Sequence, residues 1–328
     1  MDRVAYMAMK DVLSFEKPLW ITLAVLAADL LLFLFGFWLI EQKSFFAFLL
    51  SPFIFALFFF HNFAILHECG HGSVHRLRWV NDLIGHYASI FCFLPYYPWK
   101  YIHQEHHVWS GNLDRDPTMK NLKQIAEQQK VPLAVRIAWR SWIPLAGLWQ
   151  HFVFWFYPAA MWRSGKMTPE AFRRSCFSVL WLVVVYIALF ALLPHWFNMG
   201  NFGLALLIYL IGVELVNLPH HSDMPSFRDG KPITKLHPWE QHLSTRTCYY
   251  PFGLSELLTL NFNLHTEHHF FPHLPWYRLK QVRRMLKPAL EGRYNEVIGI
   301  RWNLANRRRD PNDIMLKQTP PEYFLQQT

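Results

Sequence analysis

Three short stretches of this chain carry histidine at spacings suited to metal ligation. They are His67-Glu68-Cys69-Gly70-His71, His103-Gln104-Glu105-His106-His107 and His265-Thr266-Glu267-His268-His269. The first reads H-x-x-x-H and the other two read H-x-x-H-H. On a helix, residues at i, i+3 and i+4 share a face, so each box is expected to present two or three imidazoles toward nearly one point. Imidazole suits iron, zinc, copper and nickel. Eight box histidines are too many for one tetrahedral ion and match two metals.

Several chemistries compete for such a set. His67-Glu68-Cys69-Gly70-His71 also fits H-E-x-x-H, the signature of a zinc protease with Glu68 as general base. That reading leaves His103, His106, His107, His265, His268 and His269 without a role. A metal transporter or sensor is a second alternative, although transporters place their ligands near the bilayer midplane and these boxes lie at or beyond the ends of apolar runs. A further stretch, Asn217-Leu218-Pro219-His220-His221, closes an apolar run. It reads either as a helix end stopped by Pro219 or as a ninth imidazole, His221, with Asn217 one turn earlier holding a water.

The elements that must position these groups are membrane-like. The chain has 328 residues, of which 52% are hydrophobic, 17% aromatic and 17% charged. With long apolar runs, that balance predicts a polytopic membrane protein. The net charge of +9 then marks loops facing anionic lipid rather than nucleic acid. Four scattered cysteines without a C-x-x-C pair give no disulfide framework.

Spans are predicted at 19–40, 44–66, 175–193 and 202–218. Residues 1–18 read as interfacial. Asp29 lies inside the first span and reads as a hydrogen-bond acceptor turned toward protein; His61 lies inside the second and reads as a packed residue. The runs 83–99 and 137–162, broken by prolines, read as interfacial helices, because a single crossing by either would separate the boxes. Residues 110–130 read as a polar loop with a short helix. The turns at 41–43 and 194–201 hold one Lys and no Lys or Arg respectively, whereas 67–174 holds thirteen Lys and Arg. The positive-inside rule therefore puts the boxes and both termini on the cytoplasmic side. The expected fold is an all-α membrane protein of a single domain over 1–328. It has four transmembrane helices in two hairpins, interfacial helices, and a cytoplasmic helical cap from 67–174 and 219–328 that holds the metal site.

The sequence resembles the membrane fatty acid desaturase family, which includes related hydroxylases. The three boxes and the pair Asn217 and His221 carry the resemblance. So do Asn81-Asp82, Pro95-Tyr96, Trp99-Lys100, the run Ser110 to Arg115, and Phe270-Phe271-Pro272-His273-Leu274-Pro275. The likeness runs from roughly 45 to 285. The H-x-x-x-H spacing of the first box is closer to the acyl-lipid and omega-type branch than to the stearoyl-CoA branch.

The resemblance implies a di-iron centre. Its metal ligands would be His67, His71, His103, His106, His107, His221, His265, His268 and His269, with Asn217 acting through water. It implies O2 as co-substrate, a fatty acyl lipid or acyl thioester as substrate, and an external electron donor of ferredoxin or cytochrome b5 type. The product would be a double bond; oxygen transfer by the same centre would instead give the alcohol of a lipid, carotenoid or alkane hydroxylase. No His-Pro-Gly-Gly stretch or Gly-rich dinucleotide fingerprint is present.

His75 and His242 read as neighbours of the ligands, and Trp239, Gln241 and Arg246 as within reach of the site. Glu105 and Glu267 read as ligand-orienting or solvated. His86, His151, His195, His220, His237 and His273 are expected to be structural. Arg283, Arg284 and Arg307 to Arg309 are expected to meet anionic lipid or an acidic electron carrier.

Overall fold

Four helices are long and apolar enough to cross a bilayer. In the computed structural model they are α2 (Leu19–Glu41), α3 (Phe45–His71), α8 (Pro169–Leu192) and α9 (Met199–His221). The residues described are 1–42, 44–119, 131–165, 167–192, 199–228, 235–251, 253–315, 317–319 and 323–324. The turns expected at 41–43 and 194–201 and the loop expected at 110–130 lie partly outside them.

The remaining described helices include α1 (Arg3–Val12), α4 (Arg78–Cys92), α5 (Tyr96–Trp109), α6 (Leu133–Arg140) and α7 (Leu145–Arg163). After α9 come α10 (Leu254–Thr259), α11 (His265–Phe270), α12 (Leu279–Ala289), α13 (Gly299–Asn306) and α14 (Pro311–Met315). The proline-broken runs thus each fall on two successive helices, α4 then α5 and α6 then α7, and none of the four qualifies as a span. Strands are minor: Thr247–Tyr249 pairs in parallel with Glu296–Ile298, and Pro225–Ser226 with Lys317–Gln318.

The chain divides into two compact units. One holds Met1–Glu16, Ile102–Leu145 and Glu214–Thr328; the other holds Lys17–Tyr101 and Ala146–Val213.

In the second unit, α2 and α3 form a close hairpin. Of its apolar window, α3 buries 72%, against 17% for α2 and for α8, so α3 is an interior helix and the other two present apolar side chains outward. Two buried polar groups inside this hairpin meet: His61 Nδ1 lies 2.7 Å from Asp29 Oδ1. This agrees with the packed reading of His61 and the acceptor reading of Asp29.

In the first unit, α1 is not merely interfacial. Its Met9, with Leu13, enters an apolar core with Leu264, Phe270, Phe271, Leu274, Leu279, Val282 and Leu286. Tyr6 stacks on Phe271 at 5.0 Å and donates its hydroxyl to Phe270 O at 3.2 Å. This core grips both ends of α11, which carries the third box.

Pro219 does not stop α9. The helix continues to His221. Proline has no N–H for the carbonyl four residues back, and that carbonyl, Leu215 O, accepts from Asn303 Nδ2 at 2.8 Å instead. The side chain replaces the missing backbone donor, so the helix survives to deliver His220 and His221.

Candidate metal centre

Box one forms the last turn of α3, in the second unit. Gly72 ends the helix in the left-handed conformation, φ +64°, which glycine adopts without a Cβ penalty. Ser73 N–H then donates to Glu68 O at 3.0 Å. His67 and His71, one turn apart, are buried with ring centroids 4.9 Å apart. Trp99 walls this pair: its ring lies 5.7 Å from that of His67. A Cβ on Gly70 would come within 2.5 Å of Trp99 Cζ3. Glu68 is buried, and its Oε2 accepts from the Ser73 hydroxyl at 2.7 Å. Its Oε1 lies 3.4 Å from His67 Nδ1, so one carboxylate oxygen braces the helix end and the other faces a box histidine.

Boxes two and three lie in the first unit, on α5 and α11. They do not each point to one place. A helix advances about 100° per residue, so i and i+4 diverge by about 40° while i+3 and i+4 diverge by about 100°. Each H-x-x-H-H box therefore splits. His106 of box two joins His265 and His269 of box three and His221 at the end of α9, with one ring nitrogen from each within 4.8 Å of the others. His268 of box three joins His103 and His107 of box two in a separate trio. In the quartet, His221 Nε2 lies 3.1 Å from His106 Nε2 and 2.8 Å from His265 Nε2, and His269 Nε2 lies 3.0 Å from His265 Nε2. In the trio, His107 Nε2 lies 3.1 Å from His103 Nε2 and 3.0 Å from His268 Nε2.

The outer nitrogens decide what these contacts mean. His106 Nδ1 lies 2.9 Å from Asp116 Oδ2, and His221 Nδ1 lies 3.1 Å from the Ser244 carbonyl. A carboxylate and a carbonyl only accept, so both imidazoles carry their proton on Nδ1. His269 Nδ1 faces Gln241 Oε1 at 3.2 Å in the same sense. Neutral rings so arranged turn bare Nε2 lone pairs toward one another, which is repulsive without a cation. A proton is disfavoured as that cation. Burial first, and neighbouring imidazoles second, hold His265 and His269 well below the usual imidazole pKa. Ligands at right angles around one ion, with bonds of about 2.1 Å, lie about 3 Å apart. The donor set thus fits a metal, with the outer acceptors fixing tautomer and ring direction.

Around the quartet stand groups that composition did not single out. His220 stacks on His265 at 4.0 Å with planes 8° apart, although sequence alone assigns it a structural role. Asp116 sits ten residues after His106 in a polar loop, and no short motif links it to a box histidine. Gln241 lies against His269, beside the quartet. The two box carboxylates differ. Glu105 is exposed, whereas Glu267 is fully buried and accepts from the Thr247 hydroxyl at 2.5 Å and from the Tyr294 hydroxyl. Burial raises the Glu267 pKa, and those two donors oppose the rise.

His242 is buried 5.9 Å from the Phe270 ring, its pKa pushed down to about 3 chiefly by burial. It belongs to neither histidine group. His75 also stands apart from them: its Nδ1 accepts from Leu77 N at 3.2 Å and shapes the turn before α4. Asn217 lies on α9 one turn before His221 and is half-buried.

The fatty acid desaturase family model matches residues 43–300, most of the chain. The chain belongs to the fatty acid desaturase family. Among related desaturases, it is 26% identical to the sn-1 acyl-lipid omega-3 desaturase (ferredoxin) of Nostoc sp. over 70% of this chain and 64% of the relative. It is 28% identical to the omega-3 fatty acid desaturase of Caenorhabditis elegans over 76% of this chain and 63% of that protein. A probable fatty acid desaturase of Sorghum bicolor is 25% identical over 71% and 61% respectively. The matched region thus spans less than two thirds of these relatives' length.

Proposed function

We propose that this protein is an O2-dependent desaturase. It would introduce a double bond into a long fatty acyl chain at a histidine-held di-iron centre, using electrons from a separate donor. The observation that carries the reading is the split of boxes two and three into two groups of inward-turned imidazoles. Family membership supplies the reaction class.

The ligand set of this proposal is His67, His71, His103, His106, His107, His221, His265, His268 and His269, with Asn217 contacting metal through water. An alkyl C–H bond offers no handle to an acid or a base, and an iron pair supplied with O2 and electrons provides the oxidant that such bonds require. The protein's own residues do the positioning. Asp116, Gln241 and the Ser244 carbonyl hold three imidazoles by their Nδ1 protons. Burial keeps His265 and His269 neutral and available as donors. Trp99 closes one side of the His67 and His71 pair.

In the net reaction, two adjacent methylenes lose one hydrogen each. O2 takes up these, two electrons and two protons, and leaves as two waters. The substrate is a fatty acyl lipid or acyl thioester. Ferredoxin, named for the Nostoc relative, or a cytochrome b5 type carrier serves as donor. The boxes and both termini face the cytoplasm, as the Lys and Arg bias indicates.

Metal analysis of the detergent-purified protein tests the centre. The expected content is about two irons per chain, falling on replacement of His103 or His265 by Ala. One zinc per chain, indifferent to both replacements, would return the zinc-protease reading. Mass spectrometry of lipid products, with reductant and O2 supplied, tests the outcome. An alkene supports desaturation; an alcohol assigns the hydroxylase chemistry instead.

A further inference from the structure

A second site lies in the first unit, away from the histidines. Arg140, Trp142, Leu304, Arg307 and Arg308 line a cavity of about 500 Å³ where the ends of α6 and α13 meet. We propose that this cavity binds the phosphate of an anionic phospholipid at the membrane surface.

Arg307 is the fixed part of the site. It is read from sequence as one of three surface arginines, yet it is buried. Its Nη2 donates to Glu214 Oε1 at 2.6 Å and its Nη1 to Trp139 O at 3.2 Å. The guanidinium lies 4.1 Å from the Trp139 ring and 5.0 Å from the Trp142 ring. Its Nε–H has no acceptor among the described residues. A buried charged donor left without an acceptor is costly, and this one belongs to a side chain that lines a cavity. Trp142 takes its place there from a left-handed backbone, φ 61°, a conformation that side chains other than glycine adopt at a cost.

Glu214 pairs with Arg307. Among the described residues, Arg140 and Arg308 have no carboxylate partner, whereas their neighbour Arg136 pairs with Asp310 at 3.3 Å. The cavity therefore holds two uncompensated guanidiniums and one unmet N–H, a set that fits phosphate oxygens.

The surroundings choose the source of that phosphate. On α6, Leu133 and Ile137 are 72% and 53% exposed; on α13, Ile300 and Leu304 are 60% and 57% exposed. At spacings i, i+4, i+7 and i, i+4, i+8, these form two apolar stripes that end in Arg140 and Arg308 respectively. Apolar stripes finished by arginine suit a helix lying in the headgroup layer, with acyl chains against Leu and Ile and phosphate at the arginines. A freely dissolved anion would leave the stripes in water.

Native mass spectrometry of the purified full-length protein tests this, with phosphatidylglycerol and phosphatidylcholine as probes and inorganic phosphate as competitor. The wild type is expected to bind phosphatidylglycerol about tenfold or more tightly than phosphatidylcholine. The double variant Arg140→Ala/Arg308→Ala, altered only at exposed positions, should lose that preference while keeping its metal content. A preference that survives in the double variant, or is absent from the wild type, overturns the proposal. Displacement of phosphatidylglycerol by millimolar inorganic phosphate would also overturn it, by assigning the cavity to soluble phosphate. The wild-type titration decides even if the variant fails to fold.

Discussion

The quartet and the trio of the first unit are built from the same two boxes but differ in enclosure. The quartet draws on three separate segments: α5, the end of α9, and α11. His106, His265 and His269 are each 3% exposed, and acceptors hold the Nδ1 protons of His106, His221 and His269. The trio draws on α5 and α11 alone, and His103 and His107 are half-buried. Equal motifs in the sequence thus contribute to two donor groups that differ in burial: His103 and His107 are half-buried, whereas in the quartet only His221 is.

Removing a ligand should break this contrast most sharply. His265→Ala strips the quartet of a central nitrogen, so iron is expected to fall to about one per chain and desaturation to vanish, with membrane insertion intact. Full activity in this variant would refute the ligand assignment. A gentler change touches orientation alone. Asp116→Asn keeps the size but removes the charge behind His106 Nδ1, and the loss in metal affinity should be about ten- to a hundredfold. Chelator titration should show that loss for one iron only; equal loss of both would mean the two groups are not independent. The smallest effects separate the two carboxylates. Glu267→Gln weakens two buried hydrogen bonds and should destabilise by about 1–3 kcal/mol, while Glu105→Gln should stay within about 0.5 kcal/mol. Paired melting curves would show whether the two positions are alike after all.

Much of the frame was legible from sequence. Apolar length reveals the four spans, since a run either can or cannot cross a bilayer. Box spacing announces the histidines that gather into the two groups. The split between quartet and trio was less accessible, because i+3 and i+4 are both called the same face until the angle between them matters. Asp116 and Ser244 serve residues ten and twenty-three positions away, and only folding makes them neighbours. Pro219 looked like a helix stop because its replacement donor, Asn303, is remote in sequence. Arg307 looked like its neighbours Arg308 and Arg309, since charge alone does not tell a surface arginine from one matched to a glutamate inside a span.

The three boxes also sit on helices of unequal length: 27 residues for α3, 14 for α5 and 6 for α11. A six-residue helix has almost no stability of its own. Its order comes from the core that holds Leu264 and Phe270 and from whatever binds its three histidines. In a cell short of iron, the segment around His265 would be the first to open, and it would be the place where proteases recognise an unloaded copy. Metal supply would then set how long the protein lasts as well as whether it works.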